Sequence, residues 1–257
     1  MTIATFGSIA NLSAGICLAG ILVFASHDSL AGAQEADAAF KARNYVEAFK
    51  EWTEVAKTGD AAGEYNLGFM YSEGLGVPAD YPKAAEWWTK AAEQNFPQAE
   101  LSLALLYSLG RGVAQDDARA AELYRKATVK GLAKAQQYLG DVYFSGKGLP
   151  RSGSDAVFWW AKAAEQGEVS ARVNLATTYL NGQIVKKNFQ LAFFWYEKAA
   201  QQNNGKAQFN LALMYLKGVG TEKNLELATQ WLKRSAAQGY VGAQGALDSI
   251  QAALKKT

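Results

Sequence analysis

The side chains in this sequence that could act on another molecule are aromatic, aliphatic and amide groups, not nucleophiles or metal donors. The only cysteine, Cys17, and the only histidine, His27, both fall near the start of the chain. Without either type further along, His-assisted serine or cysteine catalysis and the usual zinc sites are excluded for the rest of the sequence. No G-x-S-x-G elbow occurs. Gly146-Lys147 lacks both the following Ser/Thr and the upstream glycine spacing of a phosphate loop. The Gly74/Gly76 pair would suit a phosphate, but such pairs follow a helical stretch and recur along the chain, so turn geometry accounts for them. Carboxylates are plentiful, yet no spacing selects a pair for glycoside hydrolysis. The reading is a non-enzymatic chain with no cofactor and no metal site.

What remains is binding. The candidate partner-contacting residues are Tyr65, Phe69, Leu101, Leu105, Asp141, Phe144, Phe209 and Leu213, edged by Asn66, Asn174 and Asn210. The first eight belong to three columns with a 36-residue step. The first runs Tyr65, Leu101, Gln137, Val173, Phe209, and the second Phe69, Leu105, Asp141, Thr177, Leu213. The third runs Ser72, Ser108, Phe144, Leu180, Leu216. At about 100° per residue, positions 65, 69 and 72 cluster on one side of a helix. These columns vary from unit to unit and are more apolar than a solvated face requires. Such a face suits a partner helix or an extended peptide, with the asparagines bonding its backbone. The alternative is that packing between units buries some of these positions.

The elements that must carry these residues are set by five tyrosines, Tyr71, Tyr107, Tyr143, Tyr179 and Tyr215, each 36 residues after the last. A fixed step in this range signals stacked units, each too small to bury its own apolar face. Four residues before each Tyr stands Leu67, Leu103, Leu139, Leu175 or Leu211, followed by Gly68, Ala104, Gly140, Ala176 or Ala212. Leu, the small residue and Tyr share one helical face, and the small residue lets a neighbouring helix approach. A second helix is marked by Ala84, Ala120, Ala156, Ala192 and Ala228, and by the bulky column Trp88, Tyr124, Trp160, Tyr196, Leu232. Trp52 fits that bulky column one period early, and Ala243 and Leu247 continue two columns at the far end. The second helices are predicted to start after the N-caps Asn44, Asp80, Asp116, Ser152, Asn188 and Asn224. They carry Lys90, Lys126, Lys162, Lys198 and Arg234 near their ends. They stop at C′ residues Gly59, Asn95, Gly131, Gly167, Asn203 and Gly239. The prediction is an all-α fold of about 12 helices without strands. Five full units fall near 63–98, 99–134, 135–170, 171–206 and 207–242, flanked by half-units 44–62 and 243–257.

The string Leu67-Gly68-x-x-Tyr71-x-x-Gly74-x-Gly76-Val77-x-x-Asp80, then Ala84 and Ala91-Ala92-Glu93-Gln94, resembles the Sel-1-like repeat, a relative of the tetratricopeptide repeat. The second unit matches through Leu103, Tyr107, Gly110, Gly112, Val113 and Asp116, the third through Gly146, Gly148 and Leu149, and the fifth through Gly218 and Gly220. The resemblance covers roughly 44–254. In the fourth unit Ile184 replaces the second glycine and Lys186-Lys187 precede the cap, so its inter-helix turn is expected to differ. The resemblance implies a right-handed α-solenoid of antiparallel helix pairs. It also implies work as an interaction scaffold, often in bacterial envelope processes, signalling or assembly of larger complexes. In tetratricopeptide-like superhelices the 65/69/72 face lines the concave groove. The disulfides of cysteine-rich members, and a β-lactamase label attached to some of them, do not carry over, because no unit here contains cysteine.

Residues 1–27 contain no Asp, Glu, Lys or Arg, and Ile16 to Phe24 is almost wholly apolar. Ala31-Gly32-Ala33 before Gln34 has the form of a cleavage site, so 1–33 reads as a secretory signal peptide and 34–257 as the repeat region. The n-region lacks a Lys or Arg, and the alternative is an uncleaved membrane anchor. Either reading puts the repeats outside the cytoplasm, periplasmic, secreted or anchored at the inner membrane. Formal net charge is +2 with both signs mixed and no polybasic run, which disfavours nucleic acid as a partner. Membrane association is expected only through the N-terminal segment. The functional expectation is an envelope scaffold that binds another protein and regulates a signalling or polysaccharide assembly. The alternatives are a cell-wall glycan or peptide binder or hydrolase, and a secreted effector that binds a host protein. Nothing in the sequence specifies the partner or an oligomeric state.

Overall fold

The computed structural model describes residues 30–254. The expected export segment lies almost wholly outside them. Ala31, Gly32 and Ala33, which flank the expected cut, stand in the first turn of the first helix. The chain divides into two compact units, Met1–Gln94 and Asn95–Thr257. The described part of the first holds α1 (Leu30–Lys41), α2 (Tyr45–Lys57), α3 (Ala61–Glu73) and α4 (Tyr81–Glu93). The second holds α5 (Pro97–Leu109), α6 (Asp117–Thr128), α7 (Ala133–Ser145), α8 (Gly153–Glu165) and α9 (Val169–Asn181). It continues with α10 (Phe189–Gln201), α11 (Gly205–Lys217), α12 (Leu225–Ala237) and α13 (Ala243–Leu254). The described residues are thus an α-solenoid of helix pairs with no strand, and 13 helices where about 12 were expected.

The additional helix is α1. Its Ala-rich sequence does not hold the Leu-small-Tyr register, and it joins α2 through Ala42–Asn44 instead of the longer glycine turn. It turns the expected half-unit into a packed pair, with Ala36 buried among Ala48, Trp52, Val55 and Met70. Within each unit, a first helix packs on the second helix of its own repeat, as α3 on α4 and α7 on α8. The second helix then packs on the next first helix, as α2 on α3 and α8 on α9.

All six predicted N-cap side chains accept a backbone N–H from three residues on, so each closes an orphan donor of its helix. All six predicted C′ residues have positive φ, from 58° at Asn95 to 97° at Gly167. The turn between helices closes on the tyrosine frame through the backbone: the N–H of Asp80 donates to the Tyr71 carbonyl at 2.9 Å, and Asp116, Ser152, Asn188 and Asn224 do the same to Tyr107, Tyr143, Tyr179 and Tyr215. The tyrosine rings themselves are only half-buried. Tyr71 meets Phe49 edge-on at 5.3 Å, and Tyr215 meets Phe193 in the same way. The innermost columns are instead Leu67 to Leu211, Ala84 to Ala228 and Trp88 to Leu232.

Two internal correlations show how the core adapts. Gly68 faces Trp88 and Gly140 faces Trp160; a Cβ on Gly68 would lie 2.6 Å from the Trp88 ring. Where the facing residue is Tyr124, Tyr196 or Leu232, the small residue is Ala104, Ala176 or Ala212. The irregular fourth turn is compensated likewise. Gly148 (φ 79°) sits on the carbonyl of Asp117, and Gly220 sits on that of Phe189. In the fourth repeat Ile184 takes this place, and the residue beneath it is Gly153. The Ile184 side chain occupies the space that a Cβ at 153 would need. Turn and helix have exchanged which of them carries the side chain.

Candidate functional site

The 65/69/72 columns lie on the first helices. In the first unit Tyr65 is buried, its ring stacked on Trp88 at 6.4 Å and its carbonyl accepting the Trp88 indole N–H at 3.0 Å. Asn66 and Phe69 are half-buried. Phe69 lies 6.3 Å from the ring of Phe40, so α1 covers part of it. Ser72 is buried and donates to the Phe69 carbonyl.

In the second unit, Leu101 is 0% exposed and Leu105 is 8% exposed. Together with Tyr65 they correct the reading of these positions as groove-lining: in this conformation they are core, because the facing helices enclose them. Asp141 is part-buried and its carboxylate collects three donors. The Trp160 indole donates at 2.8 Å, Asn174 Nδ2 at 2.9 Å, and Gln137 Nε2 from one turn earlier. One carboxylate therefore ties α7 to both α8 and α9. Burial pushes its pKa up to about 6, against the pull of the Trp160 and Gln137 donors and of Lys134. Asn174, expected to be free for a peptide backbone, is engaged in this way. Asn210 donates to the Lys206 carbonyl at 2.9 Å. Phe144 packs on Trp160 at 5.4 Å and Phe209 on Tyr240 at 5.3 Å; both are half-buried, as is Leu213.

Part of the variation in these columns now has a structural cause. In the first four matched repeats the bulky second-helix residue finds its polar partner on the first helix of its own repeat. Trp88 uses the Tyr65 carbonyl, Tyr124 the Ser108 hydroxyl, Trp160 the Asp141 carboxylate and Tyr196 the Thr177 hydroxyl. Leu232 has no polar atom; Leu216 packs against its cluster, and the position equivalent to Asp141 is apolar Leu213. Buried polar groups need partners, so these positions follow the bulky column. The positions with apolar side chains still partly open are Phe69 in the first unit and Phe144, Leu180, Phe209, Leu213 and Leu216 in the second.

A second polar ladder escaped the sequence reading although it keeps the same 36-residue step. Gln94 donates to buried Glu64 at 2.8 Å, Gln166 to buried Gln136 at 2.8 Å, and Gln238 to buried Gln208 at 2.6 Å. Arg172 donates to Gln202 at 2.6 Å. At the remaining rung buried Glu100 stands 30 residues before Lys130, and burial raises its pKa while Lys126 and Lys130 pull it down. Each pair ties the start of a repeat's first helix to the end of its second helix. Among the described residues no group of three or more His, Cys, Asp or Glu could hold a metal ion. No described helix is long and apolar enough to cross a membrane.

Comparison with known proteins agrees with this geometry. The Sel1 repeat model matches residues 61–96, 97–130, 133–168, 169–204 and 205–240. No curated protein matches the sequence. Among solved structures, a protective antigen of uropathogenic Escherichia coli displaying an SLR fold is 36% identical with a TM-score of 0.78. That match covers 80% of this chain but only 44% of the antigen, so this chain spans less than half of its length. A Sel1 repeat protein from Oxalobacter formigenes is 31% identical over 88% of both chains, with a TM-score of 0.77. An immunity protein from Pseudomonas aeruginosa, 18% identical with a TM-score of 0.51 over 84% of each chain, shares the fold alone. With five matched repeats and this likeness over most of its length, the chain belongs to the Sel1 repeat family.

Proposed function

We propose that this chain is a non-enzymatic, exported scaffold that binds a helix or extended peptide of another envelope protein on the exposed face of its first helices. Sel1 repeat proteins typically serve as protein-interaction scaffolds and are generally non-catalytic. The observation that carries the reading is the row of half-open apolar side chains on α7, α9 and α11. Phe144, Leu180 and Leu216 stand at equivalent places in successive repeats, with Phe209 and Leu213 beside the last. Buried partners account for Asp141 and Thr177 in this region. They do not account for apolar groups left partly in water, which suit a partner's apolar stripe. Regulation of a signalling or polysaccharide assembly is the role such a scaffold would have in the envelope.

Leu213→Glu and Leu180→Glu test the reading, since both sites tolerate a charge better than buried Leu101 or Leu105 would. Affinity recovery from envelope extract should yield a specific protein with the wild type and lose it with both variants, at unchanged helicity. Equal recovery by wild type and variants would exclude this face.

A further inference from the structure

We propose that α10 and the turn leading into it form a docking face for an anionic lipid bilayer, separate from the protein-binding face of the first helices. Five of the eight large apolar residues exposed among the described residues stand on three second helices: Phe158 on α8, Phe189, Leu191 and Phe194 on α10, and Leu225 on α12. Two of them break a column. The same second-helix position holds Glu86 and Glu122 in earlier repeats and Gln230 in a later one, but Phe158 and Phe194 in the third and fourth. Glu122 pairs with Lys126 one turn on, at 3.2 Å. Where phenylalanine replaces the acid, the cation lies over a ring: Lys162 is 4.6 Å from the centre of Phe158, and Lys198 is 5.6 Å from that of Phe194. Each of these exposed rings, 50% accessible at Phe158 and 42% at Phe194, thus lies beneath a cation where the second repeat has the Glu122–Lys126 ion pair.

The irregular fourth turn adds to this. Exposed Lys186 and Lys187 lead directly into α10, so the stretch 186–198 carries three lysines against Glu197 alone. Asp155 and Glu165 are the acids on neighbouring α8. Protruding aromatic rings beside lysines match the two layers of an anionic interface. Rings enter the acyl boundary, while flexible stems carry ammonium groups to the phosphates.

The full-length protein is tested by co-sedimentation with vesicles of phosphatidylcholine alone and of phosphatidylcholine with about one-third phosphatidylglycerol. Residues 1–27 contain no Asp, Glu, Lys or Arg, so binding through their apolar run is expected with both vesicles. The part of that difference between the vesicles lost on substitution of Phe194, Lys186 or Lys187 reports the lysine-bearing face. The wild type should bind the anionic vesicles about fivefold better and lose that preference at high salt. Phe194→Ser, and separately Lys186→Glu with Lys187→Glu, should each reduce the preference at unchanged circular dichroism. Equal binding to both vesicles, or a preference retained by both variants, overturns the proposal. Phe194-dependent binding to an acidic peptide without lipid preference would also overturn it, assigning the face to an acidic protein.

Discussion

Replacing Asp141 with Asn should make the protein more stable at neutral pH and flatten its pH dependence. Burial raises the Asp141 pKa from 3.8 to about 6. An acid with a raised folded-state pKa binds its proton more tightly when folded. Its ionisation therefore weakens the fold as pH rises from the unfolded value through the folded one. The full effect is about 3 kcal/mol, from about 1.4 kcal/mol per pH unit. About 2 kcal/mol of it develops between about pH 4.5 and about pH 7.5. Asn keeps an oxygen for the Trp160 indole and Asn174, and Gln137 can turn its own oxygen toward the new amide. Any loss in those bonds is a constant offset, visible at acid pH where both side chains are neutral. The assay is urea unfolding of both proteins across this range. The stability of Asp141→Asn minus that of wild type should grow with pH by about 2 kcal/mol. A difference that stays flat, or that shrinks with rising pH, would refute the claim that this carboxylate is held buried between α7, α8 and α9.

Other substitutions test the packing rules. Gly140→Ala drives a Cβ into Trp160, which cannot retreat without stretching its bond to Asp141, so a net loss of about 1–2 kcal/mol is expected despite the better helix propensity. Adding Trp160→Tyr recreates the Ala–Tyr pairing of the second and fourth repeats, and a thermal melt should show recovery. Gly153→Ala should cost about 1–3 kcal/mol by collision with Ile184, and Ile184→Gly in the same chain should restore the melting temperature. Gln166→Ala leaves the oxygen of buried Gln136 without its donor and should lower stability by about 1–2 kcal/mol in urea unfolding.

The caps and innermost columns are legible in the sequence because each has one local requirement. An N-cap needs a short side-chain oxygen, a C′ residue needs positive φ, and the bulky column needs volume. The helix α1 is not legible, since its small residues pack on α2 without keeping the repeat's register. The binding columns are half legible. Wheel geometry puts Leu101, Leu105 and Phe209 on comparable faces, but exposure depends on what the adjacent helices bring, and only the assembled repeats enclose Leu101 while leaving Phe209 partly open. The variability of Asp141, Thr177 and Ser108 looked like specificity. It tracks the polar atoms of Trp160, Tyr196 and Tyr124, an internal pairing visible in the sequence once the two columns are read side by side.

The proposed protein partner lies against the first helices. This placement is tested most directly by placing a photo-crosslinking amino acid at Leu213 and, as control, at Glu122 on the outer side of α6, in the native cell. A discrete protein adduct is expected from position 213 and none of that size from position 122. No adduct from 213, or the same adduct from both positions, would contradict it.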